Sequence, residues 1–320
     1  MFFCFLLSAL CHLIIVMSAR NKKRQNLWML FGIAAVSTLI IVGGLVYFIH
    51  PTIPTRIGVA IVGNPTIVFS YDQRRNIAIS VSIPTDVSVD AVRGYGTYPI
   101  SSVWKLDRMD RRKGVLFQES LEEAIGIPIR FFIDPPSNNS NVFSFASCIQ
   151  LFIQRRTNIP VWLLYTLFQA LPSMGPTDMT EFDLTNSPVF IETTQADGTM
   201  VKKIDTEKLT LLLGTHAEDA QIRKENLRIA VSNTTESSGL AQKLARILEG
   251  TGFHVITLAN EENVRPTRCV IRSKQELKES YTVKTLQWLY GCVFEEANEE
   301  LSSDVHFIIG SEFENRFVSF

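Results

Sequence analysis

The sequence predicts an α/β fold with three pieces: an N-terminal transmembrane helix, a mixed α/β domain and a small C-terminal α/β domain of the split β-α-β type. Three observations predict this organisation. Residues 27–49 carry no charge, and short runs rich in Val and Ile alternate with amphipathic stretches between 56 and 215. Residues 227–309 have the pattern strand, helix, strand, strand, helix, strand.

The uncharged run at 27–49 is long enough to cross a bilayer. Its 23 residues span about 34 Å at a rise of about 1.5 Å per residue. The cluster Arg20, Lys22, Lys23 and Arg24 precedes it, and positive charge stays on the cytoplasmic side. The sequence therefore predicts a single-pass protein of the cell membrane whose C-terminal body is extracytoplasmic.

Residues 1–26 contain an apolar stretch and the basic cytoplasmic segment. The apolar residues 1–16 are few for a span, and they lack the basic start of a signal peptide. Either they form a second span beside 27–49, or translation begins at Met17. Both alternatives leave the body outside the cytoplasm.

Composition excludes several classes of function. A net charge of −1 provides no basic field for nucleic acid, so no nucleic-acid partner is expected. The five cysteines form no CxxC pair, which excludes a zinc ribbon and a thioredoxin-type redox site. The five histidines show no spacing typical of metal ligands.

Periodicity predicts the elements of the body one after another. In the mixed α/β domain the expected strand runs are 57–69, which Gly-Asn-Pro at 63–65 divides, 76–83, 189–193 and 200–204. The expected helices are 115–125, 160–171 and 205–213. A charged stretch at 216–226 is the expected linker. In the last domain, 227–320, the expected strands are 227–232, 253–258, 269–271 and 305–309, and the expected helices are 237–249 and 277–290.

The last domain contains the runs LRIAVSNTTESSGLAQKLARILEGTGFHVITL at 227–258 and SDVHFIIGSEF at 303–313. In these runs it resembles the C-terminal domain of the LytR family of cell-envelope proteins. The family usually has Asn-Gly in the loop where this chain has Asn233 and Thr234. Since glycine permits positive φ, the turn is expected to be reshaped here.

The mixed α/β domain at 56–215 contains the runs IVFSYDQRRNIAISVSIPTD at 67–86 and LEEAIGIPI at 121–129. In these runs it resembles a reduced member of the LytR-CpsA-Psr family. The resemblance implies transfer of a glycopolymer from polyprenyl pyrophosphate to peptidoglycan, with arginines on the phosphates and an acid-bound Mg²⁺.

The groups that this chemistry needs are largely missing from the sequence. Thr85 occupies the place of the family's arginine in Ser-Ile-Pro-Arg-Asp, and only Asp86 is kept. Two phosphates require several convergent arginines and a carboxylate for the metal. The remaining candidates for phosphate or metal contact are Asp86, Arg74, Arg75, Arg93 and Arg108. We therefore expect a degenerate domain that kept its scaffold and lost its catalysis.

Two further features allow more than one interpretation. The mixed charges of 105–113 fit a solvated helix face, and they also fit a surface for lipid head groups or phosphate. Cys269 and Cys292 are a candidate disulfide, because both lie outside the cytoplasm at element boundaries of one small domain.

The function expected from these features is non-catalytic binding or scaffolding in cell-wall assembly, without a cofactor. The expected partners are the membrane, peptidoglycan or another wall polymer, a polyprenyl-linked precursor, or another envelope protein. The alternative is a glycopolymer phosphotransferase that uses Mg²⁺. A third reading, regulation of transcription, lacks any DNA-reading element in the sequence.

Overall fold

The computed structural model describes residues 32–38, 55–135, 145–195, 198–261, 268–297 and 302–314. The chain divides into two compact units, Met1–Ile53 and Pro54–Phe320. In the first unit, residues 32–38 are helical, and the rest of the predicted span 27–49 lies outside the described residues. Within the described ranges, no helix combines the length and the apolar character needed to cross a membrane.

A five-stranded sheet forms the centre of the N-terminal part of the second unit, residues 55–217. From edge to edge its strands are Phe131–Ile133 (β6), Arg56–Ile61 (β1), Thr66–Asp72 (β2), Ile77–Ile83 (β3) and Met179–Asp183 (β7). Strands β1, β2 and β3 form an antiparallel meander, whereas β6 is parallel to β1 and β7 is parallel to β3. The predicted break in 57–69 at Gly63, Asn64 and Pro65 is confirmed, because β1 ends at Ile61 and β2 begins at Thr66. Pro65 has no N–H to continue a ladder.

A four-stranded sheet lies in the same part of the chain. Its strands, in order, are Gly96–Pro99 (β5), Ser88–Ala91 (β4), Met200–Ile204 (β9) and Phe190–Thr194 (β8). The predicted hairpin of 189–193 and 200–204 is confirmed as β8 and β9. Strands β4 and β5 were not predicted, because runs of four residues are too short to show an alternating pattern.

The helices described in this part are Ile100–Met109 (α1), Val115–Ile125 (α2), Phe145–Ile153 (α3), Val161–Ala170 (α4) and Thr206–Leu213 (α5). Short 3₁₀ turns follow at Leu171–Ser173 and Gly214–Ala217. Helix α2 has the predicted bounds, and it ends at Gly126, whose φ of 77° closes the last turn. Helix α1 was not predicted as an element.

The C-terminal part of the second unit, residues 218–314, contains another five-stranded sheet. Its strands, in order, are His254–Asn260 (β11), Arg228–Asn233 (β10), Val305–Ile309 (β14), Cys269–Ser273 (β12) and Val293–Glu296 (β13). The β12–β14 pair is antiparallel, and the other pairs are parallel. The described helices are Ala220–Glu225 (α6), Leu240–Thr251 (α7), Tyr281–Tyr290 (α8) and Ser311–Glu314 (α9), with a 3₁₀ turn at Gln275–Glu279.

The predicted element order of this domain needs one correction. Strand β13 lies between α8 and β14 and pairs with β12, so the sheet has one strand more than a split β-α-β unit of four strands. The run Val-Phe-Glu-Glu is short and acidic, which hides its strand character in the sequence. Cys269, at the start of β12, forms a disulfide with Cys292, just before β13.

Each part has its own hydrophobic core. Ala217 belongs to the core of the N-terminal part, whereas Ile222 belongs to the core of the C-terminal part. We therefore use "N-terminal part" for residues 55–217, "C-terminal part" for residues 218–314, and "the junction" for the contacts between them. Much of the predicted linker 216–226 is thus folded against both cores.

Candidate functional site

Arg74 and Arg75 lie in the turn that joins β2 to β3. Arg74 Nη1 donates to Oε1 of Gln221 at 3.2 Å, and its guanidinium lies 5.9 Å from the centroid of the Tyr281 ring. Arg75 Nε lies 2.9 Å from Oδ2 of the buried Asp72. Both arginines therefore face the C-terminal part or serve their own turn.

Arg93 and Arg108 lie elsewhere and have other partners. Arg93 makes a bidentate ion pair with Glu119, at 2.7 Å from Nε to Oε2 and 3.0 Å from Nη2 to Oε1. Arg108, at the end of α1, lies 3.9 Å from Oδ2 of Asp134, and the same carboxylate binds Arg156 at 3.1 Å. Each guanidinium is thus held by a carboxylate of its own neighbourhood.

Asp86 lies in the exposed turn after β3. That turn is at the opposite end of β3 from Arg74 and Arg75, and a strand of seven residues is roughly 23 Å long at about 3.3 Å per residue. In the described ranges no three His, Cys, Asp or Glu side chains gather where they could hold a metal ion. Asp86 therefore lies far from Arg74 and Arg75, and among the described residues it belongs to no group of three that could hold Mg²⁺.

Buried polar groups converge instead at the junction. Arg56 is only 7% exposed. Its Nη1 and Nη2 donate to the carbonyl oxygens of Glu218 and His216 at 2.8 and 2.7 Å, and its Nε donates to Oγ of Ser70 at 2.9 Å. Burial lowers the pKa of Arg56 to about 10, although the carboxylate of Asp72 opposes the shift.

Tyr281 of α8 completes this network from the other side. Its hydroxyl donates to Oδ2 of Asp219 at 2.6 Å and lies 2.6 Å from the backbone N of Thr55, which donates to it. Burial and the bond to Asp219 raise the pKa of the Tyr281 phenol. The cavity beside Arg56 and Asp219 holds only about 20 Å³, roughly one water molecule. The junction is therefore a packed interface rather than a ligand cleft.

A second set of contacts joins α2 to α7. Lys243 Nζ lies 2.6 Å from Oε1 of Glu123, and Arg246 donates to the carbonyl of Glu123. Burial raises the pKa of the Glu123 carboxyl, and the bond from Lys243 opposes it. Gly250 approaches so closely that a Cβ added there would lie 2.8 Å from the carbonyl oxygen of Gly126.

A third set of contacts uses aromatic groups. Arg130 Nη1 donates to the carbonyl of Leu289 at 2.9 Å, and its guanidinium lies 5.3 Å from the centroid of the Trp288 ring. The Phe131 and Trp288 rings are 6.0 Å apart. Among the described residues, these aromatic contacts join the two parts together with the networks at Arg56 and at Glu123.

Sequence patterns missed most of the junction. Asp219 precedes α6 and accepts from the backbone N–H of Gln221, a capping pattern that could have been recognised. Nothing in the periodicity marks Arg56 or Tyr281, whose partners lie more than 150 and 60 residues away along the chain. Long-range polar pairs of this kind leave no local signal.

A shallow polar groove lies on the outside of the C-terminal part. Its lining includes Arg223, Asn226, Glu249 and His254, beside the backbone of Gly252. Glu249 and His254 are exposed, and partial burial raises the pKa of Glu249. Side chains that both donate and accept hydrogen bonds suit a hydroxyl-rich or amide-rich ligand.

A serine and a histidine meet on the face of the C-terminal sheet, but their geometry is not catalytic. Ser232 Oγ lies 2.7 Å from Nε2 of His306, and Oε1 of Glu261 lies 3.5 Å from the same nitrogen. In a triad the carboxylate binds the other ring nitrogen, Nδ1. Ser232 is also buried, so a substrate carbonyl has no access to it.

Comparison with known proteins identifies the C-terminal part. Residues 226–313 match the LytR C-terminal family, described as LytR cell envelope-related transcriptional attenuator. In sequence, this part of the chain is similar to a LytR C-terminal domain. The match agrees with the strand and helix pattern that the sequence predicts for 227–320. No curated protein matches the chain.

Solved structures give weaker likenesses. One is B. subtilis TagT, at 13% identity and a TM-score of 0.34 over 49% of this chain and 88% of that one. Another is the LytR-CPS2A-psr family protein YwtF (TagT) with bound octaprenyl pyrophosphate lipid, at 13% identity and a TM-score of 0.34 over 49% of this chain and 87% of that one. A third is Lin1025 from Listeria innocua, at 11% identity and a TM-score of 0.34 over 51% of this chain and 97% of that one. TM-scores of this size are too low to establish a shared fold.

Proposed function

We propose that this chain is a membrane-anchored, extracytoplasmic envelope protein that binds or scaffolds components of cell-wall assembly without catalysis. Its C-terminal part is similar in sequence to a LytR C-terminal domain, a family described as cell-envelope-related. The uncharged run 27–49 and the basic cluster before it support the anchor and its orientation. The motifs at 67–86 and 121–129 support descent of the N-terminal part from a LytR-CpsA-Psr scaffold.

The observation that carries the proposal is the dispersal of the candidate arginines. Arg75 and Arg93 are bound by Asp72 and Glu119, and Arg108 lies beside Asp134. A carboxylate beside each guanidinium competes with a pyrophosphate for its N–H donors. Asp86 lies at the opposite end of β3 from Arg74 and Arg75, which favours a non-catalytic role over the alternative of a glycopolymer phosphotransferase.

A lipid-binding experiment tests this proposal against the transferase alternative. The full chain in detergent is titrated with a polyprenyl pyrophosphate, with and without Mg²⁺, and the titration is repeated with Asp86→Ala. We expect no Mg²⁺-dependent binding in either protein. Tight, Mg²⁺-dependent binding that disappears in Asp86→Ala would restore the transferase.

The polar groove of the C-terminal part is the proposed contact for wall polymer. Sedimentation of the full chain with purified peptidoglycan measures that contact. We expect Glu249→Ala and His254→Ala to weaken it, because both side chains line the groove. Glu276→Ala removes an exposed carboxylate in the same domain outside the groove and serves as the matched control. Equal binding by all three variants would exclude the groove.

A further inference from the structure

The C-terminal end of α1 presents positive charge to solvent. Asp107 is buried, because its carboxylate accepts from the backbone N–H of Gly114 at 2.6 Å and of Phe117 at 3.1 Å. One acidic side chain of the segment, Asp110, is exposed. The exposed cations of the segment are Lys105, Arg108, Arg111, Arg112 and Lys113. The mixed charges of 105–113 in the sequence thus become a predominantly basic surface in the fold.

Large apolar side chains are exposed beside these cations. Met109 is 78% exposed, and at the connected ends of α3 and α4 the exposed fractions are 55% for Phe152, 72% for Ile153 and 54% for Val161. Monomeric soluble proteins seldom present so many large apolar side chains together, and such groups mark interaction surfaces. Arg155, next to them in sequence, is also exposed.

One carboxylate ties the basic end of α1 to the apolar tip of α3 and α4. Oδ2 of Asp134 lies 3.9 Å from Arg108 and 3.1 Å from Arg156. The backbone N of Asp134 also donates to the carbonyl of Arg156 at 2.8 Å. The basic end of α1 and the connected ends of α3 and α4 therefore lie close together around Asp134.

We propose that this surface docks the extracytoplasmic body onto an anionic phospholipid membrane. The docking surface consists of Lys105, Arg108, Met109, Arg111, Arg112, Lys113, Phe152, Ile153, Arg155 and Val161. Cations attract anionic head groups, while aliphatic and aromatic side chains enter the interface between head groups and acyl chains. A soluble polyanion would need the cations alone and would leave the apolar side chains in water, so the membrane fits both halves of the surface.

Docking goes beyond the proposed function, because it fixes which face of the body lies on the lipid. Each Lys or Arg near an anionic surface contributes about 1 kcal/mol, which is about a fivefold change in affinity. Removing three cations therefore weakens docking about a hundredfold. The effect requires anionic lipid and falls as salt is raised.

Hydrogen–deuterium exchange of the full chain in nanodiscs tests the docking. The discs contain phosphatidylcholine alone, or phosphatidylcholine mixed with phosphatidylglycerol. We expect peptides covering 105–113 and 150–161 to exchange more slowly in the anionic discs only. The variant Arg111→Gln/Arg112→Gln/Lys113→Gln should lose that protection, and so should Phe152→Ser/Ile153→Ser.

The control variant Lys208→Gln/Lys224→Gln/Lys274→Gln loses the same charge at exposed positions elsewhere and should keep the protection. Equal exchange in both kinds of disc would overturn the proposal, as would equal protection by a soluble teichoic acid in neutral discs. A chain that does not stay in the disc would refute the anchor at 27–49. The docking surface would then be tested by cosedimentation with anionic vesicles.

Discussion

Arg93 and Arg56 both belong to the N-terminal part, but they are used in different ways. Arg93 is a candidate for phosphate contact, yet it forms a local bidentate pair with Glu119. Arg56 was not a candidate, yet it reaches across the junction to the carbonyls of His216 and Glu218. The region that resembles a catalytic site has dispersed charges, and the region without a motif has convergent ones.

This difference teaches where the chain uses its buried polar groups. A phosphate site would keep unpaired donors pointed into an open cleft. Here the convergent donors are satisfied by backbone carbonyls and by Asp219, in a space with room for about one water molecule. Polar convergence in this protein joins two parts of a fold.

The largest effect is expected from Arg56→Ala. The substitution removes a buried cation, and with it the hydrogen bonds that Arg56 donates to the carbonyls of His216 and Glu218 and to Oγ of Ser70. We expect the free energy of unfolding, measured with denaturant in detergent, to fall by about 3–5 kcal/mol. The exposed Arg111→Ala should change it by less than about 0.5 kcal/mol. A loss below about 1 kcal/mol in Arg56→Ala would remove the contrast between the two regions.

Tyr281→Phe should have the next largest effect. It deletes a hydroxyl that donates to Asp219 and accepts from the backbone N of Thr55. Hydrogen bonds to charged groups contribute about 1.5–3 kcal/mol, so a loss of that size is expected in the same unfolding experiment. Stability equal to that of the wild type would mean that the network contributes nothing to the junction.

Gly250→Ala tests the close approach of α7 to α2. Replacing Gly by Ala inside a helix normally stabilises it by about 1 kcal/mol. Here the new Cβ would lie 2.8 Å from the carbonyl oxygen of Gly126, so the two parts must separate slightly. We expect a net loss of about 1 kcal/mol in the free energy of unfolding. A gain in the free energy of unfolding would show that α7 and α2 are loosely packed at Gly250.

Glu123 gives the junction a pH dependence of known sign. Burial raises the pKa of its carboxyl above the ordinary 4.5, so the folded state binds a proton more readily than the unfolded state. This contribution to stability is fully present below pH 4.5 and is lost as the pH rises through the folded pKa. The stability of the wild type relative to Glu123→Gln should therefore be higher at pH 4 than at pH 7, as measured by denaturant unfolding at each pH. The same difference in stability between wild type and Glu123→Gln at both pH values would contradict burial of the Glu123 carboxylate.

The smallest effect is expected from Asp86→Ala. Asp86 is exposed in a turn, so its loss should change the free energy of unfolding by less than about 0.5 kcal/mol. Thermal unfolding of the full chain measures this. A loss above about 1 kcal/mol would show that Asp86 has a structural partner and would weaken the contrast with the junction.

Local pattern predicted much of the secondary structure. Helix α2 has the predicted bounds because its apolar spacing is regular and glycine stands at each end. Strand β14 matches for a similar reason, since Val305, Phe307 and Ile309 alternate with residues of the other face. Short strands such as β13 were missed, because four residues show no period.

The candidate site residues were chosen by likeness to a motif, and such likeness does not specify the partner of each side chain. Similarity to a sequence motif does not predict where the Arg93 side chain points, nor that it forms an ion pair with Glu119. The junction depends on contacts between residues far apart in sequence, such as Thr55 and Tyr281. Such contacts follow from the packing of the two cores rather than from local propensity.

Calorimetric unfolding of the full chain in detergent tests most directly the claim that the junction unites the two parts. The account predicts one cooperative transition for residues 54–320, with equal calorimetric and van't Hoff enthalpies, and a lower midpoint in Arg56→Ala without splitting. Two separate transitions in the wild type, unaffected by Arg56→Ala, would contradict it.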